Sequence, residues 1–149
     1  MCCASLQKVL KSGKDECFTP STVAKENDRE FRIINKSKLK ICKVKIDDCF
    51  IKDGKIKKCD YLFKLCGQEK FFLVELKGNK VKDAVEQILS TFEQINNFVK
   101  MKPENYTGYI ISSTIPASAE QNFKRLLEDV RKNKGIKITK FHSKYQLTV

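Results

Sequence analysis

The sequence predicts an α/β fold, read as a three-layer α/β/α sandwich around a central mixed β-sheet. Three observations predict it. Short runs rich in aromatic and β-branched residues at 59–65, 71–76 and 106–113 read as strands. An apolar stripe at helical spacing, about Lys80 to Lys100, separates the second run from the third. A second helical stripe near 118–132 is followed by two further strand candidates. The expected order is helix, β-meander, helix, strand, helix, strands.

Each element has its own signal. Residues 4–12 form a short helix with Leu6, Val9 and Leu10 on one face, ended by Gly13. Thr19-Pro20-Ser21-Thr22 reads as a second helix start with Pro at the first helical position, and 23–30 as weakly helical. Residues 31–35 and 39–46 read as extended. Asp53-Gly54, between Ile51 and Ile56, is a two-residue hairpin signal. It makes 39–65 two long strands, the second carrying Asp60. Asp47 and Asp48 are expected at the far end of the first, as loop or bulge residues. The long helix buries Ala84, Val85, Ile88, Leu89, Phe92, Ile95 and Val99, with Gln87, Thr91 and Gln94 along the border. Pro103 closes the helical region. Ser118-Ala119-Glu120-Gln121 reads as a capping box opening the last helix, with Phe123, Leu126, Leu127 and Val130 as its core face and Gly135 as its end. Residues 136–139 and 145–148 are expected as edge strands. With no internal repeat, linker or P-loop, residues 1–149 read as one domain. An N-terminal helical segment spans 1–30, the core 39–115, and a C-terminal helix with edge strands 117–149.

Composition narrows the function classes. The chain is 41 % hydrophobic, enough for a packed core. No apolar run approaches the ~18 residues that span a membrane, and the N-terminus lacks signal-peptide architecture; a cytoplasmic protein is expected. Seven cysteines and one histidine, His142, include no Cys-x-x-Cys and none of the usual zinc spacings. Without an export signal a disulfide framework is not expected, and the Cys2-Cys3 pair reads as incidental. The net charge of +12 is concentrated: 36–64 hold ten Lys against four Asp, and 124–144 hold eight Lys and Arg against Glu128 and Asp129. Such density suits a polyanion, and Lys-dominated patches suit phosphate contacts more than base reading.

The stretch most informative about chemistry is Phe71-Phe72-Leu73-Val74-Glu75-Leu76-Lys77-Gly78. It reads as a buried central strand, yet it carries Glu75 and Lys77 at its end. Alternation puts Phe71, Leu73, Glu75 and Lys77 on one face. The preceding run, Cys59 to Leu65, joins it through a turn containing Gly67. If that hairpin is centred on Gly67-Gln68, paired residues sum to 135, and Asp60 faces Glu75 within roughly 5 Å between Cβ atoms. Two carboxylates and a lysine at a strand end suit a hard divalent cation and a phosphate substrate.

Asp60, fourteen residues and then Glu75-Leu76-Lys77 resemble the signature of the PD-(D/E)XK nuclease superfamily, with its restriction-endonuclease-like core. The resemblance covers roughly Lys40 to Ile115, with Cys59 standing where the motif has its Pro. It implies a small metal-dependent nuclease hydrolysing phosphodiesters, with DNA preferred over RNA. Asp60 and Glu75 would hold Mg²⁺ or Mn²⁺, and Lys77 would position or activate the attacking water. Gln87 on the following helix would support the site. The resemblance also implies a further metal-binding Glu from an early helix, for which Glu26 and Glu30 are candidates. A chain this short would dimerise or work beside a partner protein. The rival expectations are a non-catalytic nucleic-acid-binding module on the same fold, or a subunit of a larger nucleoprotein or defence complex.

Overall fold

The computed structural model describes residues 2–11, 15–76 and 80–149. Six strands form a mixed sheet. They are β1 (Phe18–Thr19), β4 (Ile41–Lys45), β5 (Tyr61–Leu65), β6 (Lys70–Leu76), β7 (Tyr106–Ser112) and β8 (Lys137–His142), in the spatial order β1-β4-β5-β6-β7-β8. From β1 to β6 the neighbours are antiparallel; β6, β7 and β8 run parallel. A smaller sheet pairs β2 (Val23–Glu26) with β3 (Arg29–Ile34) antiparallel, and β3 with β9 (Lys144–Thr148) parallel. The described residues add three α-helices: α1 (Cys2–Val9), α2 (Val81–Val99) and α3 (Ala117–Lys134). None is long and apolar enough to cross a membrane.

The layers differ from the expected α/β/α sandwich. The α2 and α3 crossovers both step the same way along the sheet, from β6 to β7 and from β7 to β8. Parallel crossovers are right-handed, so two steps in one direction put both helices on one face. There Leu73, Ile110 and Ile138 pack against Ile88 and Phe123, with Leu6 of α1 in the same core. The opposite face is covered by the small sheet instead of by helices: Phe63, Phe72, Val74 and Ile111 pack against Ala24, Phe31 and Ile33. The fit of α2 is close. A Cβ on Gly108 would lie 2.9 Å from Ile138 Cγ1 of β8 and 3.1 Å from Ile88 Cγ2 of α2, so a side chain there would press on both neighbours.

Several sequence expectations fail for local reasons. The helix expected in 20–30 is strand, because Ala24 and Phe31 share the inner face of a two-stranded ribbon turned by Asn27, whose φ is +54°. Ser21 accepts from the Val23 N–H at 3.3 Å in a local turn, not as a helix cap. The two long strands of 39–65 stop at Lys45 and resume at Tyr61. Asp48 takes φ +57°, and the chain coils back with Phe50 N–H on the Lys45 carbonyl and Ile51 N–H on that of Ile46. The Asp53-Gly54 turn survives at the tip of the resulting loop, where Asp53 accepts from Lys55 N–H at 2.9 Å. α3 begins after Pro116 with no side-chain cap, and Glu120 of the expected capping box pairs with Lys140 at 3.3 Å. β8 is an edge strand, as expected. β9 is not part of its sheet: Ser143, at φ +66°, turns the chain across to β3.

The cysteines overturn the expectation most clearly. Cys2–Cys66, Cys3–Cys42 and Cys17–Cys49 are disulfide-bonded, leaving Cys59 free and buried. All three bridges tie residues 2–17 to the β4–β6 region. The spacing of the cysteines gave no sign of this, because each pair is brought together only by the sheet. Alkylation in denaturant without reductant should label Cys59 alone, and prior reduction should expose all seven; seven labels without reductant would contradict the pairing. Reduction should also lower the melting temperature, since native disulfides contribute about 2–4 kcal/mol each.

Candidate functional site

The β5–β6 ladder has the register the sequence suggested. Tyr61 pairs with Val74, Leu62 with Leu73 and Leu65 with Lys70, so paired residues sum to 135. One step further sets Asp60 against Glu75. Leu62 and Leu73 point into the helical-face core, so Asp60 and Glu75, two residues from each, point the same way. The Asp60 carboxylate turns back onto the next strand and accepts the Leu76 N–H at 2.8 Å. The Asp60 and Glu75 carboxyls lie close enough to interact directly.

Helix α2 completes the arrangement. Glu75 is only 3 % exposed, a depth at which a carboxylate needs hydrogen-bond donors. The Gln87 amide end faces only acceptors, so we assign its nitrogen to that side; in that orientation it donates to Glu75 Oε2 at 3.2 Å and to the Asp83 carbonyl at 3.2 Å. One turn on, the fully buried Thr91 hydroxyl donates to the Gln87 carbonyl at 2.8 Å and accepts the Cys59 N–H at 2.8 Å. A single threonine thus fixes the helix carrying Gln87 to the backbone just before Asp60. Cys59, in the place of the motif's Pro, is fully buried, and burial pushes its thiol well above the usual range. It serves as packing, not as a nucleophile.

Charge accumulates at this end of the sheet. Burial pushes the Asp60 carboxyl up to about 6; the Leu76 N–H hydrogen bond and the interaction with Glu75 oppose this, while the charges of Glu26 and Asp47 add to it. An acid whose folded-state pKa lies above its unfolded value favours folding when protonated. Its contribution is present below about pH 4 and is lost as pH rises toward 6. Asp60→Asn should therefore stabilise the metal-free protein near neutral pH, by on the order of 1 kcal/mol, and flatten the stability loss across that window. Melting curves in chelator at a series of pH values check this; a destabilised variant would mean that the ionised carboxylate holds the fold together.

The sequence-predicted residues are thus distributed as follows. Asp60, Glu75 and Gln87 are brought together, while Lys77 lies outside the described residues. Glu26 sits on β2, not on a helix, and is near enough for its charge to act on Asp60. Glu30 accepts from Arg32 Nε at 3.2 Å, and that hydrogen bond holds its carboxyl below the usual range. Asp47, expected at the far end of its strand, instead lies beside the site: its N–H and that of Ile46 reach the Asp60 carbonyl at 3.4 and 2.9 Å. Antiparallel pairing of β4 with β5 brings that end back. The loop from Ile46 to Asp60 also carries Lys52, Lys55 and Lys57, exposed, and Lys58, half-buried. Lys57 pairs with Glu86, the neighbour of Gln87, across to α2; both side chains are exposed, so the pair contributes little stability.

Two carboxylates share one face at a strand end, and the charges of Glu26 and Asp47 raise the Asp60 carboxyl beyond what burial alone does. Among the described residues no group of three or more His, Cys, Asp or Glu is placed to hold a metal. Mg²⁺ takes one or two protein carboxylates and completes its shell with water and substrate oxygens. The chain matches no known protein family, no curated protein and no solved structure.

Thr91 is the site residue that sequence reasoning left as one of three border positions; its only signal was a β-branched hydroxyl inside an apolar stripe. Thr91→Val keeps the shape and removes both hydrogen bonds. It should destabilise by about 1–3 kcal/mol, the cost of a buried unpaired N–H, as thermal or denaturant unfolding would show. Wild-type stability would contradict the anchoring role.

Proposed function

We propose that the protein is a small metal-dependent phosphodiesterase of the PD-(D/E)XK kind, acting on nucleic acid with DNA as the preferred substrate. The observation that carries this reading is the convergence of Asp60, Glu75 and Gln87 at the end of β6. In this reading β4, β5, β6, α2 and β7 are a restriction-endonuclease-like core, with the small sheet in place of a second helical layer. Residues 1–149 work as one nuclease domain, as a homodimer or beside a partner protein.

A bound Mg²⁺ or Mn²⁺ would supply a water of lowered pKa and neutralise charge on the phosphoryl oxygens. Asp60 and Glu75 are its ligands. Gln87 fixes the Glu75 carboxylate, and the Leu76 N–H fixes that of Asp60, so both oxygens are set before a cation arrives. Lys77 follows Glu75 by two residues and orients the attacking water. Of the two early acids, Glu26 is the better third ligand, since its charge already acts on Asp60 and Glu30 is engaged by Arg32. The lysines of the loop before Asp60 hold the substrate backbone by sequence-independent contacts. A cytoplasmic location stays part of this proposal, with a condition: in a reducing compartment the N-terminal segment would be held by packing alone.

Glu75→Gln removes a ligand charge at nearly constant volume. It should abolish metal binding and Mg²⁺-dependent cleavage together, whereas Lys77→Ala should abolish cleavage and keep metal binding. Calorimetric Mn²⁺ titration alongside a panel of DNA and RNA substrates checks both. Cleavage by Glu75→Gln at the wild-type rate would remove the nuclease reading. Salt-sensitive nucleic-acid binding by wild type without metal binding or cleavage would favour the non-catalytic module, whose support is the Lys-rich surface alone.

A further inference from the structure

A second polar site lies along the same edge of the sheet. The tip of the β2–β3 hairpin and the carboxyl ends of β7 and β8 enclose a cleft of about 720 Å³, with Asp28, Arg29, Ser113, Thr114, His142 and Ser143 in its lining. Crevices outside the carboxyl ends of parallel strands are where open α/β sheets bind ligands. The cleft is rich in donors. Arg29 Nε is buried with no hydrogen-bond partner, while one of its Nη atoms donates to Ser113 Oγ at 3.5 Å. Thr114 Oγ1 and His142 Nε2 lie 2.9 Å apart. Ser143 Oγ donates to the Asp28 carbonyl at 3.4 Å. Asp28 is the one acid in this set, and it is exposed.

We propose that this cleft is an oxyanion pocket that binds a phosphoryl group of the nucleic-acid strand. The pocket follows from its own donors; only the strand that carries the phosphate rests on the nuclease reading. Arg29 lines the cleft with its Nη atom beside Ser113 Oγ, and an anionic oxygen there would gain a charge-assisted hydrogen bond. The arginine fork and adjacent hydroxyls match a tetrahedral oxyanion. Placement agrees. Ser112 lies two residues along β7 from Ile110, the register partner of Glu75, and pairs with His142 on β8. The pocket is thus about 7 Å further along the strand direction and one to two strands over, at roughly 5 Å each. The hairpin that presents Arg29 pairs it with Glu26, whose charge acts on Asp60, so one turn serves both sites.

The chain's single histidine makes the test direct. Inorganic phosphate is titrated into the disulfide-intact protein at constant pH and ionic strength, and the His142 imidazole resonances are followed by NMR. The expected result is a saturable shift in wild type that is lost in Arg29→Gln and weakened roughly tenfold in Ser113→Ala, as loss of a hydrogen bond to a charged group implies. A non-saturating shift, or equal saturation in Arg29→Gln, overturns the pocket. If Arg29→Gln fails to fold, unchanged phosphate affinity in a folded Ser113→Ala does the same. Oligonucleotides with a 5′-phosphate, a 3′-phosphate or hydroxyl ends separate the sources. Preference for one terminus assigns an end-binding pocket, and equal affinity assigns an internal phosphodiester. Saturable phosphate binding without metal-dependent cleavage removes the nuclease reading and leaves the pocket; Asp60-dependent cleavage with no saturable shift does the reverse.

Discussion

The β5–β6 register is the constraint on which the candidate site depends. Side chains alternate along a strand, so a slip of one residue would carry Asp60 to the opposite face from Glu75. What prevents the slip is the core. Leu62 and Leu73 enter the helical side, while Phe63, Phe72 and Val74 enter the side covered by the small sheet. Both faces of β6 are apolar and buried, so either face would lose its packing if the strands moved by one. The two carboxylates are therefore held on one side by hydrophobic residues that never touch them.

The second requirement is the close seating of α2. Gly108 removes a side chain that would press on Ile88 of α2 and Ile138 of β8. Thr91 then ties the helix to Cys59, which brings Gln87 to Glu75. The site is an outcome of helix packing, strand register and one buried hydroxyl acting together. Much of the positive charge, by contrast, stands on exposed surfaces, along α3 and the loop before Asp60. There it contributes to attraction of a polyanion and little to the fold.

Elements with strong periodicity were legible in the sequence. α2, β6, β7 and the end of α3 at Gly135 fall where apolar spacing and glycine put them. The Asp60–Glu75 pairing followed from centring the turn on Gly67-Gln68, which a one-residue slip would have undone, and the ladder has that register. The segment 20–30 was misread as helix because its strand identity comes from a partner, Phe31, that local propensity does not include. The break in β4 was hidden for a similar reason: Asp53-Gly54 signalled a tight hairpin, but Cys49 is drawn aside to Cys17, far away in sequence. The second layer followed from crossover handedness, which a list of elements without their strand order does not reveal. Arg29 gave no signal at all, since its role depends on β7 and β8 arriving beneath the hairpin.

A divalent cation held by Asp60 and Glu75 at the end of β6 would be located by paramagnetic broadening with Mn²⁺, which requires no substrate. Trace Mn²⁺ added to the ¹⁵N-labelled protein should broaden the backbone amide signals of Asp60, Glu75 and Leu76 first, and Mg²⁺ should compete the effect away. Broadening centred instead on Asp53 at the loop tip, or spread evenly over the surface, would rule out a cation held by Asp60 and Glu75.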